Sequence, residues 1–341
     1  MPKKPSHDEI VNYYNENAPL WDGFLKKMNF LIKELLKTKG ICPQDVLCRV
    51  KGLSSFENKC NNDKYADPFN EITDMCGMRI ITYTLDDIKK VSDVIEDEFE
   101  VKECIDKSEE LPTEAFGYNC KHYLIKLGNK RTKLSEYAKY ADLFVEVQVP
   151  TILQHAWAEI AHDLNYKSAS KPPKEIQRDL FRIAAVLELA DKEFCKIISN
   201  IDEYKKQVNI DIKGKKDVEI NSISLMEFMK NKFDDPKIQK TFNGHDADIL
   251  SELEKFGIKT ISQLNKLITP KLKEALLADI SISANYLGML RMIMMATNAE
   301  KYFDNSWGGT WTGLCPGDDA FFAKFGVDVE YIQYRLKQRP S

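Results

Sequence analysis

The sequence predicts a layered α+β domain over residues 1–205, followed by a mostly helical region over 206–341. Three observations predict it. Short runs rich in β-branched residues alternate with helical periods as far as Lys167. From Ser168 the texture becomes predominantly helical. The chain is also 43% hydrophobic and 30% charged, enough apolar material for real cores and too much for a disordered chain.

The elements follow in order. Residues 8–40 read as a helix, with Ile10, Tyr13, Tyr14, Leu20, Phe24, Leu25, Met28, Leu31, Ile32, Leu35 and Leu36 at helical spacing and Gly40 as the stop. Leu47–Val50 reads as a short strand. Met78–Tyr83 is a second, leading into an amphipathic helix capped by Thr84 with Ile88, Val91, Val94, Ile95 and Phe99 on its face. His122–Leu127 and Asp142–Val149 are two more strands. In the latter, Val145, Val147 and Val149 share one face while Glu146 and Gln148 share the other. Past Pro150 the period turns helical. After Pro172 and Pro173 a long helix is expected from Lys174 to about Asn200, with Leu180, Ile183, Ala184, Leu187 and Phe194 inward.

Beyond it, 208–220 alternates around Gly214 and predicts a hairpin. Ser224 and Glu227 are spaced as a capping box, and helices continue to about Phe303. A Gly-rich stretch with Trp307 and Trp311 forms a loop before a last helix from about Asp319. The boundary between domains is placed near 201–215. Two uses compete for 206–341: a packed helical body, or a regulatory module recognising a partner through the tryptophan loop.

Charge distribution narrows the function classes. Net charge is −4, and residues 201–341 hold 20 Lys+Arg against 20 Asp+Glu, leaving 29 against 33 for 1–200. Neither part is a basic block, so general adhesion to nucleic acid is not supported, while local basic residues can still cradle phosphates. No apolar run approaches the roughly 18 residues of a membrane span. The start carries no apolar signal region, so a cytoplasmic location is expected. Eight cysteines are scattered without a CxxC pair, which predicts reduced thiols rather than a zinc ribbon.

Several residue groups bear chemistry. Asp74 stands at the start of one strand and Glu146 in the middle of another; if those strands are neighbours, two carboxylates converge on one polar spot. Hard cations such as Mg²⁺ take one or two carboxylates plus phosphate oxygens, so the pair suits a nucleotide–metal site. Arg49, Lys51, Ser55 and Lys59 are placed to line a phosphate path. Gly117 and Tyr118 offer a free backbone and a ring for base stacking. His155, Glu159 and His162 fall on one helix face, and their spacing favours a hydrogen-bonded face packed on the active centre over a metal site.

Taken in order, these pieces resemble the synthetase domain of the RelA/SpoT family, which makes the alarmone (p)ppGpp. The motifs are R-x-K-x-x-x-S-x-x-x-K (Arg49, Lys51, Ser55, Lys59), D-x-x-G-x-R (Asp74, Gly77, Arg79), G-Y-x-x-x-H (Gly117, Tyr118, His122) and E-V-Q-V (Glu146, Gln148). The resemblance implies a nucleotidyltransferase-like mixed β-sheet flanked by helices. It also implies a pyrophosphotransferase that moves the β,γ-pyrophosphate of ATP to the 3′-hydroxyl of GDP or GTP. Asp74 and Glu146 would be catalytic and hold Mg²⁺. Arg49, Lys51, Ser55, Lys59 and Arg79 would serve ATP and its phosphates, and Tyr118, His122 and Gln148 the acceptor.

The family's upstream hydrolase half is not expected, since His7 alone among histidines precedes Arg49. Departures concern the acceptor side. Pro150 stands where family members commonly carry arginine, Asn119 and Cys120 replace common motif residues, and Glu114 stands where a lysine is frequent, with Lys107 as a loose substitute. They leave two alternatives: a toxic relative that pyrophosphorylates the 3′ end of tRNA, or an inactive nucleotide-binding regulator. A homo-oligomer or a regulatory protein partner remains open.

Overall fold

The computed structural model describes residues 4–106, 120–167, 173–278, 285–309, 311, 313–315 and 317–338. They form two compact units, Met1–Ile198 and Ser199–Ser341, each with its own hydrophobic core.

The first unit opens with helix α1 (His7–Thr38). Ser6 accepts from the Glu9 amide while the Glu9 carboxylate takes the Ser6 amide, satisfying donors that a helix start leaves unpaired. At the other end Gly40 takes a φ of +70°, and the Ile41 amide reaches back to the Leu36 carbonyl at 2.9 Å. Glycine adopts that left-handed turn without a Cβ penalty, so the predicted stop is the observed one. Strand β1 (Asp45–Val50), helices α2 (Leu53–Cys60) and α3 (Pro68–Glu71), strand β2 (Cys76–Ile81) and helix α4 (Leu85–Glu98) follow. Thr84 caps α4 through the Asp87 amide. Next come β3 (Phe99–Asp106), β4 (Lys121–Leu127), short helices α5 (Asn129–Thr132) and α6 (Ser135–Ala138), β5 (Val145–Val149), α7 (Ile152–Lys167) and the long α8 (Lys174–Lys213).

The five strands make one mixed sheet in the order β1-β2-β5-β4-β3. Only the β2–β5 pair is parallel, with Gly77 opposite Glu146 and Arg79 opposite Gln148. Val145, Val147 and Val149 are fully buried, as the alternation predicts. They pack with Tyr123, Ile125, Met78 and Ile80 and with Phe24, Met28 and Ile32 of α1 in one core. That arrangement sends Glu146 and Gln148 to the opposite face of the sheet.

β3 was not among the predicted strands. It lies at the sheet edge, has half its residues exposed, and carries Glu100, Lys102 and Glu103, so its sequence lacks an apolar run. At the β5–α7 junction Thr151 and Gln154 exchange side-chain bonds with each other's amides, capping α7. The buried Thr151 hydroxyl then donates to Asp191 on α8 at 2.6 Å.

In α8 only Ala184 of the five positions expected inward is buried; Ile183 and Phe194 are exposed. The predicted hairpin over 208–220 is also corrected. Residues 208–213 continue α8; Val208 is buried and Ile212 packs on the second core, and their spacing of four fits a period of 2 and one of 3.6 alike.

The second unit contains α9 (Ser222–Lys232), α10 (Asp246–Lys255), α11 (Ile261–Leu267), α12 (Pro270–Ala278), α13 (Tyr286–Lys301), a π-helical turn (Tyr302–Ser306), α14 (Asp318–Ala323) and α15 (Val329–Lys337). α9 is capped by Asn221 paired with Ser224, not by Ser224 with Glu227; Glu227 instead accepts from Asn209. α13 supplies much of the core through Met289, Leu290 and Met292 to Met295. Within that core Arg291 grips the buried Glu252 with two nitrogens, Tyr302 donates to Glu252 and Trp311 donates to Tyr302. Trp307 is buried edge-on against Phe303 at 5.3 Å. Both tryptophan rings therefore serve the core, which favours the packed loop over a recognition surface. Among the described residues, no helix is long and apolar enough to cross a membrane.

Candidate active site

The polar face of the sheet opens into a cavity of about 640 Å³, bounded by the β1–α2 segment, the β2 and β5 strands and α7. Arg49 ends β1, Lys51 and Gly52 form the turn, and Ser55 stands on the first turns of α2. Lys59 follows Ser55 by four residues, hence on the same side of the helix, while Phe56 and Cys60 anchor the other side in the core. Gly77, Arg79, Glu146 and Gln148 make the floor. His155, Glu159 and His162 come from α7 at i, i+4 and i+7 and form a wall.

Asp74, in the turn before β2, is the negative centre of this cavity. Its Oδ2 accepts from Lys59 and lies 3.1 Å from the Lys51 ammonium. Burial alone would push the carboxyl up, but the hydrogen bonds and charges of the two lysines outweigh it and hold its pKa below the usual value. Lys59 shows the reciprocal balance: desolvation lowers it, Asp74 raises it more, and the net shift is upward. Glu146 adds a smaller upward contribution, which places the two carboxylates in one electrostatic neighbourhood.

Glu146 itself is met by His122 Nδ1 at 3.1 Å from the neighbouring strand β4. Arg79 is held on three sides: its Nε donates to Gln148 at 3.1 Å, and Nη1 reaches Glu159 at 2.5 Å and His155 Nδ1 at 2.9 Å. The guanidinium lowers the Glu159 pKa through their hydrogen bond; burial, then the Arg79 charge, lowers that of His155. A neutral His155 is the form able to accept from Arg79. Arg79, Gln148, His155 and Glu159 also line an adjoining cavity of about 430 Å³ with His122, Cys120 and Pro150. The site is thus a two-lobed cleft whose lobes share two arginines, Arg49 and Arg79.

Asp74, Glu146, Arg49, Lys51, Ser55, Arg79 and Gln148 all border the main cavity, Lys59 joins through Asp74, and His122 lines the second lobe. Tyr118, with Lys107, Glu114, Gly117 and Asn119, lies outside the described residues. Glu159 is the partner that the motifs did not supply; its helical spacing from His155 and His162 was its only signal. Among the described residues no group of three or more His, Cys, Asp or Glu is placed to hold a metal ion. Two carboxylates with oxygen donors at one cavity do fit a hard dication that completes its shell with phosphate and water. The two ammonium groups gathered on Asp74 show that this carboxylate draws cations.

Comparison with known proteins finds similarity to one family and to several of its relatives. Residues 48–171 match the family described as "Region found in RelA / SpoT proteins". The chain is 28% identical over 200 residues to "GTP pyrophosphokinase YjbM" of Bacillus subtilis, covering 54% of this chain and 90% of that protein. It is 27% identical over 158 residues to "GTP pyrophosphokinase YwaC" of the same organism, covering 45% and 73%. Among solved structures, the small alarmone synthetase 1 from Bacillus subtilis aligns with a TM-score of 0.48 at 22% identity, over 56% of this chain and 98% of that one. The matched residues run from within β1 through α7, over most of the segments that border the cleft.

Proposed function

We propose that the matched region is a pyrophosphokinase that moves the β,γ-pyrophosphate of ATP to the 3′-hydroxyl of GDP or GTP. One observation carries the reading. Asp74 and Glu146, from separate segments of the chain, border one cavity that Arg49, Lys51, Ser55 and Arg79 also line. Its relatives YjbM and YwaC, both named GTP pyrophosphokinases, support the same chemistry.

In the reaction the acceptor oxygen attacks the β-phosphorus, the bond from the α–β bridging oxygen to that phosphorus breaks, and AMP leaves. Glu146 takes the proton of the attacking hydroxyl, and His122 orients the carboxylate for that task. Lys51, Lys59, Arg49 and Ser55 bind the triphosphate; the lysines that sit on Asp74 are the charges a phosphate chain would recruit. Arg79 stands where both lobes meet and is suited to the phosphates in transit. Mg²⁺ held by Asp74 and Glu146 would neutralise charge building on the transferred group. With so little covalent work for the protein, positioning and charge carry most of the rate.

The experiment is label transfer: the full chain is incubated with γ-labelled ATP and, separately, GDP, GTP or bulk tRNA. Label in the guanosine nucleotide is the expected result. Label at the tRNA 3′ end, or in none of the three, overturns the assignment.

A further inference from the structure

We propose that the second unit carries a binding site for a compact polyphosphate anion, in a cavity of about 350 Å³ formed by the end of α8, α9 and α11. Its floor is apolar, made by Ile212, Phe228 and Ile261, and its rim carries Lys215, Lys232 and Lys266. Residues 201–341 hold equal numbers of acidic and basic residues, so this gathering of ammonium groups is local and not a by-product of composition.

The nearby acids do not neutralise the rim. Asp211 is engaged by Lys216, a fourth lysine at the cavity, at 2.8 Å. Asp217 is occupied first by the Thr260 and Ser262 hydroxyls, and the Lys266 charge is the weakest of the influences on it. Lys215, Lys232 and Lys266 form no ion pair among the described residues, nor does Lys273 nearby. Lys232 is instead tethered by its ammonium to the Asn265 side-chain oxygen at 2.8 Å, which aims the charge without cancelling it. Burial and the Lys273 charge lower its pKa, the expected strain of cations held together over a dry surface.

An anion of several charges relieves that repulsion, and the apolar floor weakens solvent screening of the contact. The chemistry points to phosphates in series. The rim offers separate point donors suited to successive phosphate groups, whereas Phe228 is too buried to stack a base. The chain could belong to an inorganic polyphosphate or to a nucleoside triphosphate; both present the same group. The site lies wholly within the second unit and does not depend on the transferase reading.

The test is equilibrium dialysis of the full-length protein with labelled inorganic triphosphate, and in a second arm with GTP. Wild type is expected to bind one saturable equivalent more than Lys232→Ala/Lys266→Ala. Affinity at that site should fall about tenfold for each lysine removed, the worth of one charge-assisted hydrogen bond. Lys232→Arg/Lys266→Arg should retain the equivalent, and a thermal melt of each variant separates lost binding from lost folding. Equal affinity in the two arms identifies the phosphate chain as the ligand; tighter GTP binding adds the nucleoside. The proposal is overturned if folded Ala and wild-type proteins bind the same number of equivalents. It is also overturned if sulfate at matched ionic strength abolishes the difference, or if RNA displaces triphosphate at lower phosphate concentration.

Discussion

Glu146 concentrates the chemistry in one side chain. It sits on β5 between two fully buried valines, so its backbone is fixed by the core while its carboxylate faces the cavity. Glu146→Gln keeps the size and the His122 contact but removes the base; transfer should fall by about 10² to 10⁴, the range for general-base catalysis, with an unchanged melting temperature. A rate near wild type would mean that another group accepts the proton. Asp74 and Lys59 make a second prediction at this scale, through pH. The Asp74 pKa lies below its ordinary 3.8, so the stability it contributes is complete above that value and is lost as pH falls through the folded one. The Lys59 pKa lies above its ordinary 10.5, so its contribution is complete below that value and is lost as pH rises through the folded one. Melting curves across pH should therefore be flat at neutrality and fall at both extremes. Lys59→Met should shrink both falls, leaving part of the acid one because Lys51 still faces Asp74. Unaltered flanks would show that the pair does not contribute to stability.

Helix α7 shows what an element adds beyond its motifs. Glu159 is well exposed, so Glu159→Ala should change stability by no more than about 1 kcal/mol. Its partner Arg79 borders both lobes, and Glu159 competes with any phosphate for that guanidinium. The variant should therefore lower KM for a phosphate-bearing substrate a few-fold with little change in kcat, the signature of altered uniform binding. A raised KM would instead make Glu159 a positioning residue for Arg79. Strand faces and helix caps were legible in the sequence because they rest on local period and local hydrogen bonds: β5 alternates cleanly, Thr84 caps α4, and Gly40 stops α1. Edge strand β3 was not, because its solvent-facing charges hide the alternation. The end of α8 was misread as a hairpin because Val208 and Ile212 satisfy both periods. The Arg79–Glu159 contact joins residues 80 positions apart and has no local signature at all.

At the scale of the whole molecule, the two cores are separate sets of residues, and every described residue of the catalytic proposal lies in the first. The second unit was legible only as helical and charge-balanced, since its defining interaction, the buried Glu252–Arg291 pair, joins residues 39 positions apart. Glu252→Ala leaves that arginine unpaired in the core and should cost the second unit about 3–5 kcal/mol. Transfer at temperatures where the second unit stays folded should be unchanged. Loss of the chemistry in a folded variant would place part of the catalytic machinery beyond Ile198.

The central claim is that pyrophosphate, not phosphate, leaves ATP in one step at the Asp74–Glu146 cavity. It is tested most directly by quantifying products after incubation of the full chain with ATP and GDP. The account predicts AMP and a 3′-pyrophosphorylated guanosine nucleotide in equal amounts, both absent with Glu146→Gln. ADP with free phosphate, or AMP without a modified guanosine nucleotide, would contradict it.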